Sequence, residues 1–158
     1  ISLLVGIGLI LNIIESMIPM SSFVPGAKLG LANIVNLLGL VLFGFTGGSQ
    51  ILLLRIFLGS LLVGTFMTIT FYLSLSGGIF GYLIMGLVYY HFREKFSLIG
   101  ISVSGAVFHN LGQILTAFII ISNTGIFYYL PYLVILAVPT GIWVGLVTIF
   151  TLKNLPYK

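Results

Sequence analysis

The chain has 158 residues, of which 59% are hydrophobic and only 5% are charged, with a formal net charge of +4. A soluble domain carries about a quarter charged residues, so lipid is the expected solvent for most of this chain. The absence of cysteine excludes disulfides and thiolate metal sites, and two carboxylates, Glu15 and Glu94, with no aspartate exclude the carboxylate cluster that metal–diphosphate chemistry needs.

A membrane-spanning helix needs about 20 mostly apolar residues. The apolar runs are continuous rather than alternating, which argues against a membrane β-barrel. The expected fold class is an all-α integral membrane protein, a bundle of six transmembrane helices forming one transmembrane domain over 1–158. The first helix covers 1–18 and stops at Pro19. It lacks a basic start and a small-residue cleavage site, so no signal peptide is expected. Residues 19–28, with two prolines, two serines and a glycine, form a loop. The second helix covers 29–44, FTGG over 45–48 is a tight turn, and the third helix covers 49–63. A short break over 64–68 precedes the fourth helix, 69–92, in which Ser76, Gly77 and Gly78 mark a kink or a close-packing point. The charged stretch 91–95 is a loop. The fifth helix covers 97–122, Asn123 to Gly125 turn the chain, and the sixth helix covers 128–152 before a polar tail.

Basic residues orient such a bundle. Arg93 and Lys95 follow the fourth helix, and Lys153 and Lys158 follow the sixth; Lys28 alone lies in a loop on the other side. Both termini are therefore expected in the cytoplasm, and Tyr128, Tyr129 and Tyr132 suit an aromatic belt at the outer interface. Glycines recur at helical spacing: Gly77, Gly81 and Gly86, then Gly105 and Gly112, then the GxxxG pair Gly141 and Gly145. They point to close helix packing inside one bundle in preference to a dimer interface.

Ionisable groups inside a span are costly and need a partner or a wet cavity. Three fall within the expected spans: Glu15, Arg55 and His109. Asn12, Glu15 and Ser16 share one helical face, as do Asn33 and Asn36, and as do His109, Gln113 and Thr116, with Asn110 beside that stripe. Lys28 precedes the N-terminus of the second helix, an end that favours anions. These groups converge between mid-depth and the outer surface. The expected substrate-binding residues are Glu15, Lys28, Asn33, Arg55, His109, Asn110 and Gln113, around a small, anionic ligand. The plainer alternative is a buried Glu15–Arg55 ion pair with the asparagines as interhelical glue. No metal site is expected from two histidines on separate helices, no cofactor is expected, and no basic surface meets nucleic acid.

Several segments together resemble a known bacterial membrane family: IESMIP (14–19), PGAKLGLANIV (25–35), LLRIFLG (53–59), LSGG (75–78) and AVFHNLGQ (106–113). That family is labelled either Gx transporter or heptaprenyl diphosphate synthase component I, and the resemblance spans nearly the whole chain. The family is similar to the S components of energy-coupling factor vitamin transporters. The resemblance implies an S-component-like bundle in the bacterial cytoplasmic membrane, with cytoplasmic termini and a ligand pocket near the outer face. S components commonly carry an Ala-x-x-x-Ala contact on the first helix; here that helix has no alanine, and Gly6 and Gly8 are its small residues.

Two functions follow as expectations. In the first, the chain is a binding subunit for transport that captures a small vitamin-, flavin- or isoprenoid-like anion from outside, alongside membrane lipids and an energising transport module. In the second, it is a membrane accessory subunit of prenyl diphosphate or quinone synthesis, or of flavin-based extracellular electron transfer, without transport. In neither is the chain an enzyme by itself.

Overall fold

A computed structural model describes residues 1–17 and 30–155. Among these residues the chain is helical, with α1 Ser2–Met17, α2 Leu31–Val63, α3 Ile69–Phe92, α4 Leu98–Ile121 and α5 Leu130–Asn154. A 3₁₀ turn, Thr124–Tyr129, leads into α5. The expected count of six helices is thus corrected to five. The spans expected over 29–44 and 49–63 are one element, because the expected turn takes a single residue, Gly44, out of helical geometry, at φ 70° and ψ −172°. A positive φ of this kind is open to glycine at little cost.

That one residue reverses the chain. In a straight helix, residues nine apart are about 13.5 Å from each other. Here a methyl group placed on Gly39 would lie 3.2 Å from the Gly48 Cα, and one on Gly48 would lie 2.9 Å from the Leu40 nitrogen. Val35 and Arg55, on the two arms, both border Gly8 of α1. The arms 31–43 and 45–63 therefore run antiparallel, packed on each other. A reversal takes peptide groups out of the helical ladder, where the helix itself no longer satisfies them. Two tyrosines of α3 do so instead: the Phe45 N–H donates to the Tyr90 hydroxyl at 3.1 Å, and the Tyr82 hydroxyl donates to the Phe45 carbonyl at 2.8 Å.

Four stretches are long and apolar enough to cross a membrane by length and composition: Leu31–Val63, Ile69–Phe92, Leu98–Ile121 and Thr124–Asn154. The first of these lengths overstates reach, because the arms of α2 rise only about 20 Å and about 28 Å. The chain is a helical membrane protein. Its remaining ends agree with the sequence reading to within a few residues. The break after Val63 begins at Gly64, φ 73°, and the final helix starts at Leu130 because the 3₁₀ turn occupies the residues before it.

Glycines let the helices touch. On α3 and α4, methyl groups at Gly81 and Gly112 would sit 2.7 Å from the Gly105 carbonyl oxygen and 3.0 Å from the Ser76 carbonyl oxygen. The Ser76 hydroxyl also donates across this seam to the Gly112 carbonyl at 3.3 Å. The Ser76–Gly78 stretch is thus a close-packing point within an unbroken α3. On α5, the GxxxG pair faces α4: methyl groups at Gly141 and Gly145 would lie 2.6 Å and 2.7 Å from the Val103 and Ile99 Cα atoms. This glycine pair is spent within the chain. Around the seams, Leu37, Leu40 and Ile101 are wholly buried.

Gly141→Leu drives a branched side chain into the α4 backbone, and overpacking of this kind costs about 1–3 kcal/mol. The purified protein is expected to melt at lower temperature in detergent and to lose its monodisperse elution peak. Gly6→Leu is the matched control, since nothing lies within 4 Å of a methyl group placed there; its melting temperature is expected to stay at the wild-type value.

Candidate functional site: a polar cavity at one end of the bundle

Packing makes the two ends of the bundle different. One end gathers the reversal at Gly44, the α3–α4 connection with Arg93 and Lys95, and the close of α5 at Lys153. The other end holds a cavity of about 390 Å³. Glu15, Asn33, Arg55, His109, Asn110 and Gln113 all line it. These are the sequence candidates, apart from Lys28, which lies outside the described residues. The cavity borders every helix: α1 presents Asn12, Glu15 and Ser16, α4 presents Ala106, His109, Asn110 and Gln113, and α5 presents Leu133, Ala137 and Thr140. Each set follows the three-and-four spacing of one helical face.

Arg55 is the strongest feature. It is only 6% exposed. Its methylene stem lies across Gly8, where a methyl group would come within 2.9 Å of its Cδ. The Glu15 charge acts on it electrostatically. Among the described residues, however, no carboxylate comes within ion-pair distance of its guanidinium, and its buried Nε has no hydrogen-bond partner. The direct Glu15–Arg55 pair considered from sequence is therefore absent. Glu15, 9% exposed, spends one carboxylate oxygen on the backbone instead, accepting from the Gly30 N–H at 2.6 Å. Gly30 caps α2 at φ 73°. The carboxylate thus ties the end of α1 to the start of α2 and satisfies a helix-terminal donor that lipid leaves bare.

The amides divide between glue and open groups. Asn110 donates to the Leu133 carbonyl at 2.8 Å and joins α4 to α5. Asn36 donates to the Asn33 side-chain oxygen at 3.2 Å, while its own oxygen is buried without a partner. Gln113 is 5% exposed, and its Oε1 is likewise buried and unpartnered. His109 fits because α3 is bare there: methyl groups at Gly77 and Gly81 would lie 3.0 Å from its Nε2 and its Cβ respectively. A small chamber of about 10 Å³, room for about one water, continues inward between Asn36, Ser102, His109 and Thr140.

Sequence reading did not include Asn12, Ser60, Ser74 and Thr140 among the candidates, although all line the cavity. Thr70 and Ser74, four apart on α3, are the signal that could have found the α3 contribution. Part of the lining is apolar. Phe71, 3% exposed, is held edge-on by Phe57 and Phe66 at ring separations of 5.4 Å and 5.2 Å. Among the described residues no group of three or more histidine, cysteine or acidic side chains could hold a metal ion.

Glu15→Leu leaves the Gly30 N–H unpaired, at a cost of about 1–3 kcal/mol. Amide hydrogen exchange at the start of α2 is expected to quicken about tenfold or more. Glu15→Gln keeps an acceptor oxygen in place and is expected to exchange near the wild-type rate.

Comparison with curated proteins and with solved structures gives no significant match. The sequence does match one family, described as heptaprenyl diphosphate synthase component I, over residues 4–151. That span covers nearly every described element, from α1 into the last turn of α5. The chain belongs to the heptaprenyl diphosphate synthase component I family of membrane proteins.

Proposed function

We propose that this chain is an S-component-like membrane binding subunit that captures a small anionic molecule in the cavity, for transport together with a partner. One observation carries the reading: a buried guanidinium lines the cavity, and among the described residues its Nε has no hydrogen-bond partner and no carboxylate lies within ion-pair distance. An unpaired buried charge is strongly destabilising, and an anionic ligand removes that penalty on binding. The cavity's size falls within the range of small-molecule sites. Mixed walls, polar on α1 and α4 and apolar at Ile56, Phe71 and Leu136, suit an anion attached to an apolar body. Arg55 holds the anion, and Asn33, His109 and Gln113 read its hydrogen-bonding groups.

The charge pattern supports an outward-facing cavity. Arg93, Lys95 and Lys153 lie at the far end, and basic residues favour the cytoplasmic side. With the doubled-back α2, the chain traverses the bundle in six segments and both termini lie in the cytoplasm. The bacterial cytoplasmic membrane is the location that fits. The chain supplies no ATP-binding motif, so the energy for transport comes from another subunit.

Family membership favours a second reading. The family's description names a component of a prenyl diphosphate synthase. In that reading the chain is an accessory subunit beside a separate catalytic partner, in prenyl diphosphate or quinone synthesis, without transport. No aspartate is available to bind a magnesium diphosphate, so in both readings the chain itself is no enzyme.

Native mass spectrometry of the full chain in mild detergent separates these readings. Wild-type protein is expected to carry one small anion at stoichiometric amount, and Arg55→Met is expected to lose it. Prenyl lipid alone, or a bare chain, in both forms would overturn the binding-subunit reading and favour the accessory role.

A further inference from the structure

We infer that the ligand of this cavity is a ring that carries an anionic substituent and, apart from it, a lactam or imide edge, with the anion on Arg55 and the edge on Gln113. The inference rests on the anion-binding reading and narrows its substrate class. Two side chains that line the cavity, on different helices, each hold a buried polar atom without a partner: the Arg55 Nε on α2 and the Gln113 Oε1 on α4. They are 6% and 5% exposed, so bulk water does not satisfy them. Among the described residues no hydrogen bond engages either atom.

The two groups ask for different chemistry. A guanidinium only donates, and it matches a carboxylate or phosphate. A primary carboxamide both donates and accepts. Its terminal torsion is soft, so Gln113 can present oxygen and N–H side by side to a ligand. The group that satisfies both at once is a cis-amide, N–H beside C=O, as in a lactam or imide ring. Two neighbouring polar groups are already engaged: the Asn110 N–H is held by the Leu133 carbonyl, and one Glu15 carboxylate oxygen by the Gly30 N–H. The aliphatic part of the Gln113 side chain is itself braced, since a methyl group on Gly77 would lie 2.8 Å from its Cγ. The amide is thereby anchored at one place on the wall. Ile56, Phe71 and Leu133 line the same cavity and suit the faces of a flat ring.

This pattern discriminates. Prenyl diphosphates and fatty acids offer acceptors for Arg55 and no donor for Gln113. A site with an unmet polar group disfavours a ligand that leaves it unmet.

The test measures binding of paired probes to the purified full chain by calorimetry. Orotate is compared with benzoate, and pterin-6-carboxylate with 2-naphthoate. Each pair shares a carboxylate and similar ring size, and only the first member has the edge. At least one edge-bearing acid is expected to bind tenfold or more tightly than its partner, the worth of one to two hydrogen bonds. Gln113→Met, of similar volume, is expected to abolish that preference while carboxylate binding remains; Gln113→Asn serves as the second variant if the first does not fold. Equal binding within both pairs, still lost in Arg55→Met, would overturn this inference and leave the anion site standing. Absence of binding by all four probes would overturn both. Preference for farnesyl diphosphate over every ring acid would overturn the edge and favour the accessory reading.

Discussion

Helices in lipid gain nothing from hiding apolar surface, because the solvent is as apolar as they are. Close contact must come from shape, and here it comes from glycine. Three seams carry it: Gly8 and Gly59 where α1 meets α2, Gly77, Gly81, Gly105 and Gly112 between α3 and α4, and Gly141 and Gly145 between α5 and α4. At the last two, backbone meets backbone within van der Waals contact, where weak Cα–H···O contacts also become available. The seams determine the rotation of each helix about its axis, and therefore which side chains look inward.

The functional groups depend on that rotation. His109 lies on the α3–α4 seam between Gly105 and Gly112, in space that Gly77 and Gly81 leave free. A side chain at either position would displace the imidazole. Arg55 depends on Gly8 in the same way, since the stem of the arginine occupies the missing side chain's place. Glycine thus serves twice, joining the helices and making room for polar groups that could not otherwise be enclosed. Each such group then needs a partner. Glu15, Asn110, Tyr82 and Tyr90 find theirs in backbone groups. Arg55 and Gln113 retain unsatisfied atoms beside the cavity. The division between satisfied and unsatisfied groups separates scaffold from candidate site more sharply than polarity does.

A cavity lined by both aromatic and amide side chains suits the proposed ligand, part apolar and part polar. The family description names a synthase component, while the carboxylates that such chemistry needs are missing from the chain. Both are accommodated when the chain binds and a partner performs chemistry or supplies energy.

The sequence by itself determined the helical membrane class, most of the helix ends and the polar stripes. These follow from local quantities: apolar run length, glycine and proline punctuation, and three-and-four spacing. It also brought forward Glu15, Asn33, Arg55, His109, Asn110 and Gln113, because polar groups inside apolar runs are few enough to stand out. Tertiary structure alone decided the rest. It merged the second and third expected helices, because the reversal at Gly44 needs one residue and is held at Phe45 by two tyrosines 37 and 45 positions further along the chain. It separated Glu15 from Arg55, because the Gly30 N–H, a donor with no side-chain signature, competes for the carboxylate. It added Asn12, Ser60, Ser74 and Thr140 to the cavity wall. Which polar atoms remain unpaired is a property of three-dimensional distances between helices, and no periodicity in one helix encodes it.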